Sequence, residues 1–259
     1  MLSRLQGKNV LITGASAGIG ESCAYQFAAA GANLILTARR HTRLQSIKDK
    51  ITTTYPQVQV HTAVLDVRDE KNVNAVINGI PGDLGNIDVL VNNAGLALGV
   101  DHLCDISNEA IDTVIDTNIK GLLYVSRAVV RKMKERGSGH IIMMGSIASM
   151  VGYPGGSIYC ATKSAVHAIS ESLRAETMAV PIHVTEIKPG AVETEFSVVR
   201  FGGNEGRAAD VYRGIDPLTA DDVAETVVFT ASRHPRCVVS EVVLLASGQA
   251  SATLIHRKQ

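Results

Sequence analysis

Tyr159 and Lys163 stand four residues apart in the run SIYCATKSAV, and Ser146 lies thirteen residues before Tyr159. On a helix, residues four apart share one face, one above the other. That places the Lys163 ammonium near the Tyr159 phenol. A free tyrosine titrates near ~10 and is a poor base at neutral pH. A nearby cation favours the phenolate and lowers that value. A phenol tuned in this way can trade a proton with an alcohol or carbonyl oxygen. The same spacing also arises by chance, with a half-buried Tyr beside a solvated Lys, so its weight depends on the other motifs.

A second constellation opens the chain. The apolar run NVLIT leads into TGASAGIG at 13–20, which sets Gly14, Gly18 and Gly20 at a strand-to-helix turn. Missing side chains let the backbone approach a pyrophosphate, and the next helix offers free N–H groups and its positive dipole end. The pattern is G-x-x-x-G-x-G rather than G-x-G-x-x-G, but its strand-then-helix context is the required one. NAD binders carry an acid ~20 residues past such a turn, to hold the ribose 2′-hydroxyl. This chain has Ala38, Arg39 and Arg40 there. No carboxylate would repel a 2′-phosphate and two guanidinium groups could clamp one, which predicts NADP(H) over NAD(H). Asp66 and Val67 follow the third apolar run, where a carboxylate can meet the adenine amino group and an N–H a ring nitrogen. Asn92, Asn93, Ala94 and Gly95 end the fourth, where small residues leave room for a ribose and the amides can tie strands together.

The elements that must position these residues are legible as alternating patterns. Strands are predicted at 9–13, 33–38, 58–66, 87–93, 139–146, 182–189 and 241–247. Helical stretches are predicted at 18–30, 42–54, 70–79, 107–117, 118–136, 156–179 and 220–231. Several strands are apolar at nearly every residue, as in a sheet covered on both faces. Seven strands interleaved with helices predict an α/β fold, a doubly wound parallel sheet in a single domain over 1–259. Gly31 suits a helix C′ position, and Asp69 and Ser107 suit helix caps. The segment 190–219 reads as one long irregular loop, the substrate-side lid, with Gly202, Gly203 and Gly206 as hinges. The tail 246–259 is placed to reach a neighbouring subunit.

The bulk numbers narrow the classes. Lys+Arg and Asp+Glu are 25 each in 259 residues, so a zero formal charge gives no pull toward nucleic acid or membrane. No run approaches the ~20 apolar residues of a membrane helix. The N-terminus enters a strand pattern at once, which leaves no room for a signal peptide. Cysteines at 23, 104, 160 and 237 form no short-spaced pair, which predicts no metal knuckle and a reducing, cytoplasmic setting.

Taken in order, these residues resemble the short-chain dehydrogenase/reductase family. TGASAGIG, the DV pair at 66–67, NNAG, Asn118 in DTNIKG, Ser146 in GSIAS, YCATK, and Pro189-Gly190 followed by Thr194 carry the likeness. Within the family the chain looks most like the NADP-dependent 3-hydroxy acid dehydrogenases, on NNAGLALG, GSIYCATKSAV, VETEFSVVRF and the ending HRKQ. The resemblance implies a Rossmann-type domain, oxidation at C3 of a short 3-hydroxy acid, such as L-serine, L-allo-threonine or 3-hydroxyisobutyrate, and a homotetramer. It implies Tyr159 as general base, Lys163 as the residue lowering its pKa and holding the nicotinamide ribose, and Ser146 as a hydrogen-bond partner of the reacting oxygen. Asn118 would position a water linking Lys163 to solvent. Implied cofactor contacts are Gly14, Ser16, Gly18, Ile19, Gly20, Arg39, Arg40, Asp66, Val67, Asn93, Ala94, Gly95, Pro189, Gly190, Val192 and Thr194, with Tyr159 and Lys163. Many NADP-preferring members carry a basic residue in the glycine turn; here that position is Ala17.

A 3-hydroxy acid is an anion and needs a cation or a set of donors. Arg200, Arg207 and Arg213 are the lid candidates, and Arg200 is favoured by its place in VETEFSVVRF. A salt bridge from Arg200 to Glu193 or Glu195 stays open as its alternative. Gly155-Gly156 and Tyr153-Pro154 should shape the pocket wall beside Tyr159, with Ser146 and Gly190 also at the substrate. Two other functions stay open: a broad carbonyl reductase, and an NADP-sensing protein without chemistry.

Overall fold

The computed structural model describes residues 2–258; Met1 and Gln259, the ends of the expected domain and tail, lie outside the described residues. Seven strands form one parallel sheet: β1 (Asn9–Thr13), β2 (Asn33–Ala38), β3 (Val60–Val64), β4 (Val89–Asn92), β5 (Gly139–Met144), β6 (Ile182–Pro189) and β7 (Glu241–Leu244). The spatial order is β3-β2-β1-β4-β5-β6-β7, so the winding reverses between β1 and β4. A ligand crevice is expected at the strand C-termini beside such a switch point.

Successive strand residues point to opposite faces, and the core divides accordingly. Val10, Ile12, Leu36, Ile142 and Ile187 pack with Phe27 and Val227 on one face, under α1 (Gly18–Ala29), α2 (His41–Thr54) and α9 (Ala220–Ala231). Leu11, Ile35, Leu90, Ile141 and Val184 pack with Val73, Val125 and Val166 on the other, under α3 (Glu70–Asn78), α5 (Leu122–Arg136) and α6 (Ser157–Glu176). Both faces are dry, which is why these strands read as unbroken apolar runs. Asp69 caps α3 by accepting from the Lys71 and Asn72 N–H groups, Ser107 caps α4 (Asn108–Ile115), and Gly31 takes φ +80° just past α1.

The differences from expectation cluster at the site. Strands predicted at 58–66, 87–93, 139–146 and 241–247 end earlier, at 64, 92, 144 and 244. There the chain leaves the sheet to present Leu65–Val67, Asn93–Gly95 and Gly145–Ser146 to the crevice. The helix predicted from 118 begins at Leu122 instead; Asp116–Gly121 forms a π-helical turn joining α4 to α5, and Asn118 sits inside it. The lid is not irregular throughout. It holds α7 (Glu195–Arg200), capped by Thr194, and α8 (Glu205–Tyr212), capped by Asn204, each with an acid in its first turn. Those cap signals were in the sequence; the glycines masked them. Gly202 and Gly203, at φ +60° and +90°, turn the chain between the two helices.

The described tail folds back on its own chain. Gln249 and Ile255 form an antiparallel bridge, Arg257 donates to the Arg213 and Val211 carbonyls, and the Lys258 N–H donates to Gly214 at 2.6 Å.

Candidate active site

The strand C-termini, the glycine turn, the lid and the tail enclose one cleft of about 600 Å³. Its floor requires glycine. Gly14 has φ +65°, and a Cβ there would fall 3.0 Å from the Ala94 Cα. A Cβ on Gly20 would fall 2.4 Å from the Gly14 carbonyl and 2.5 Å from the Asn93 Nδ2. Helix α1 starts at Gly18 and Ile19 behind Ala17, which supplies no side-chain cap. Its first N–H groups therefore face the cleft without a side-chain partner, the arrangement that suits a phosphate. Asn93 closes the turn: its Nδ2 donates to the Thr13 and Gly14 carbonyls, and Thr13 Oγ1 accepts from the Asn93 and Ala94 N–H groups at 3.0 Å each. Asn92 ties β4 to the adjoining helix through Ser126 Oγ at 2.8 Å. Asn93 thus ties the end of β4 to the end of β1, and Asn92 ties β4 to α5 and, through Met143, to β5.

The two arginines after β2 are not equivalent. Arg40 Nε donates to Ser16 Oγ at 3.1 Å, and its Nη1 meets the Glu195 carboxylate at 2.8 Å. Arg43, which the sequence reading passed over, grips the same carboxylate. Arg39 also lines the cleft and has no hydrogen bond or ion pair to the described residues. Asp66 lines the cleft too, in a salt bridge with Arg68 at 2.6 Å. The Arg68 hydrogen bond holds its carboxyl below the ordinary range.

At the far end of the cleft, Ser146, Tyr159 and Lys163 come together. Ser146 follows β5, while Tyr159 and Lys163 occupy successive turns of α6. Lys163 Nζ donates to the Met144 carbonyl at 2.7 Å and lies 5.7 Å from the centre of the Tyr159 ring. Ser146 Oγ accepts from the Ala148 N–H at 3.1 Å and lies 3.4 Å from the Pro189 carbonyl. Asn118 stands one layer behind. It brackets Leu96, accepting from its N–H at 2.9 Å and donating to its carbonyl at 2.8 Å, and it also donates to Thr162.

The electrostatics differ from the expectation that Lys163 lowers the Tyr159 pKa. Both groups are buried, and burial favours their neutral forms. It pushes the Tyr159 phenol well above its ordinary value, with the Ser146 hydrogen bond offsetting part of the rise. It draws Lys163 down to about 8, partly countered by Glu186. The ammonium is engaged by Met144 rather than by the phenol oxygen, so its pull on the phenol is spent partly elsewhere.

Residues 8–202 match the model of the short chain dehydrogenase family. The chain belongs to the short-chain dehydrogenase family. It is 43% identical over all 259 residues, and over the whole of the relative, to an NADP-dependent 3-hydroxy acid dehydrogenase of Schizosaccharomyces pombe. It is 42% identical to sulfoacetaldehyde reductase 2 of Chromohalobacter salexigens, across 96% of this chain and 98% of that one. The closed form of serine dehydrogenase complexed with NADP⁺ superposes with a TM-score of 0.90 at 40% identity, covering 96% of this chain and 99% of that one.

In this dehydrogenase the lid and tail supply the remaining walls. Arg200 Nε donates to the Gly99 carbonyl at 3.0 Å, and its guanidinium approaches the Gly155 carbonyl at 3.4 Å and the Tyr153 hydroxyl at 3.5 Å. The open alternative, an Arg200 salt bridge to Glu193 or Glu195, is not formed; Glu195 is taken by Arg40 and Arg43. The other two lid arginines are engaged, Arg207 over the Phe201 ring and Arg213 with Asp210. Pro189, Gly190, Val192 and Thr194 line the cleft, and a Cβ on Gly190 would fall 2.1 Å from Gln249 Oε1. Gln249, Ala252, Ile255 and Arg257 line it from the tail, and Tyr212 from the lid. The tail residues carry no signature in the sequence, because no local spacing marks a residue delivered by a distant hairpin.

Proposed function

We propose that this dehydrogenase is an NADP-dependent oxidoreductase that oxidises the C3 hydroxyl of small 3-hydroxy acids. Arg200 is the observation that carries the substrate class. It is a cation on the wall of the cleft that holds Tyr159, fixed by carbonyls and without a carboxylate partner among the described residues. A substrate carboxylate would be the missing counter-ion. The names of the relatives support the same reading. The glycine floor and the uncapped start of α1 suit the cofactor pyrophosphate, and Arg39 suits the 2′-phosphate.

Within this reading Tyr159 takes the proton of the substrate hydroxyl and Ser146 donates a hydrogen bond to the same oxygen. Lys163, with one N–H on Met144, has two more to offer to the ribose hydroxyls and the phenol. Asn118 holds the Leu96 backbone behind Lys163, which leaves the proposed water link as its second task. Pro189, Gly190, Val192 and Thr194 frame the nicotinamide, which accepts the hydride when the cofactor is bound. The homotetramer and the cytoplasmic setting belong to the proposal as well. Leu123, Phe229, Val243 and Leu245 leave apolar side chains on the outside of α5, α9 and the β7 edge, all four cysteines are free, and no described helix is long and apolar enough to cross a membrane.

A second reading, reduction of a small anionic aldehyde, is favoured by the sulfoacetaldehyde reductase relative. A sulfonate would use Arg200 in the same way, with Tyr159 giving its proton instead of taking one. One substitution tests what the two share. Arg200→Met is expected to raise KM for a 3-hydroxy acid at least about tenfold, the usual scale for losing a charged hydrogen bond, and to leave KM for a neutral secondary alcohol within about twofold. An unaltered KM for the acid removes Arg200 and the anionic substrate class with it.

A further inference from the structure

Behind the active site, on the α6 side of the sheet, lies a cluster of charges that the proposed chemistry does not use. Glu186 of β6 is 1% exposed. Its Oε2 accepts from His167 Nδ1 at 2.7 Å and lies 3.4 Å from Lys188 Nζ. Lys188 also reaches Glu241 of β7 at 2.7 Å, and His167 lies 3.7 Å from Glu171 on its own helix. Arg174 of α6 is turned away to the Val184 and Ser240 carbonyls. The His167, Glu186 and Glu241 ligand atoms lie within 4.8 Å of one another, close enough for a metal ion. The Lys188 ammonium already bridges the two carboxylates, so the protein supplies its own cation there.

The other oxygen points the opposite way. Glu186 Oε1 is the one buried side-chain polar atom without a hydrogen-bond partner among the described residues. It occupies the space above Gly145, where a Cβ would fall 2.4 Å from it. Gly145 lies between Met144, whose carbonyl holds Lys163, and Ser146. A buried carboxylate with one bare oxygen is costly unless its charge serves a neighbour. Beyond Gly145 stands the buried Lys163, held on the Met144 carbonyl and within electrostatic reach of Glu186.

We propose that Glu186 is a positioning residue that keeps the charge of the Tyr159–Lys163 pair on Lys163. Each of the two groups holds a proton that can leave as pH rises, and the first can come from either. Loss from the phenol yields the base; loss from the ammonium yields an inactive pair with the same total charge. Glu186 favours the ammonium and so raises the share of the loss that falls on the phenol, an effect that matches its upward pull on Lys163. The inference rests on Tyr159 being the base.

The test is the pH dependence of kcat for oxidation in Glu186→Gln, Glu186→Asp and Lys188→Gln, on one substrate and with saturating NADP⁺. In Glu186→Gln the ascending limb is expected to move to lower pH by about one unit, while the plateau falls about tenfold, because one pKa unit is a factor of ten in the ratio of the two forms. Glu186→Asp keeps the charge and should restore both. Lys188→Gln removes an opposing cation and should move the limb upward, which provides a readout even where Glu186→Gln fails to fold. A Glu186→Gln plateau that falls with the limb unmoved, or a Lys188→Gln limb that is unmoved or lower, overturns the proposal in favour of a packing role. Full activity of Tyr159→Phe would instead remove the base itself, so the two failures are distinguishable.

Discussion

Tyr159→Phe is expected to lower kcat for oxidation by about three orders of magnitude, within the range that a positioned general base contributes. The substitution removes a single hydroxyl. The ring stays 5.6 Å from Phe196 and 5.7 Å from Lys163 Nζ, so its packing and its cation contact are retained. NADPH affinity, read from its fluorescence, should change less than about fivefold, because the glycine turn and Arg39 lie at the other end of the cleft. The sign of the wild-type pH dependence follows from burial. The phenol is held above its ordinary value, so its basic form gains population as pH rises, and oxidation should climb through the alkaline range. Reduction of the corresponding carbonyl needs the protonated phenol and should already run at neutral pH. A variant retaining more than about a tenth of the wild-type kcat would show that another group moves the proton.

Ala38→Asp/Arg39→Gln is expected to shift the preference for NADP⁺ over NAD⁺, as the ratio of the two kcat/KM values, by at least about a hundredfold. Arg39 is the reason. It alone of the three neighbouring arginines makes no hydrogen bond or ion pair to the described residues, whereas Arg40 is held by Ser16 and Glu195 and Arg43 by Glu195. Losing a charged hydrogen bond costs about 1.5–3 kcal/mol, and a carboxylate set in its place repels the 2′-phosphate and can accept from a 2′-hydroxyl. About 1.4 kcal/mol is a factor of ten, so the two changes together account for the shift. Arg40→Gln should act less cleanly, since it also frees Glu195 at the start of α7. A double variant with unchanged preference would move the phosphate contact away from the end of β2.

The sheet was legible because its strands are dry on both sides. A run such as NVLIT or GHIIMM has no solvent face to supply alternation, and helices between such runs leave one topology class. The site was legible where its residues are local in sequence: the glycine turn, NNAG, and the Tyr159–Lys163 spacing on one helix. Three things were not. The division of labour between Arg39 and Arg40 depends on Glu195, more than 150 residues away, and no spacing encodes it. The pKa of Tyr159 was expected to fall because a cation stands four residues on, but spacing says nothing of desolvation, which acts on both members of the pair and wins. The role of Gln249 depends on a tail hairpin that brings it against Gly190, a contact no local pattern announces. Glu186 belongs with these, since an acid in a strand reads as an anomaly until its carboxylate is found over Gly145, just past the end of the strand beside it.

The most direct test of the central claim is NADPH formation at alkaline pH, followed by absorbance with NADP⁺ or NAD⁺. The substrates are L-serine, L- and D-allo-threonine, 3-hydroxyisobutyrate, 3-hydroxypropionate and a simple secondary alcohol. The account predicts NADP⁺-linked turnover of one or more of the 3-hydroxy acids, well above that of the neutral alcohol. Silence on every acid, with the alcohol oxidised or a neutral ketone reduced in reverse, would contradict the assigned substrate class.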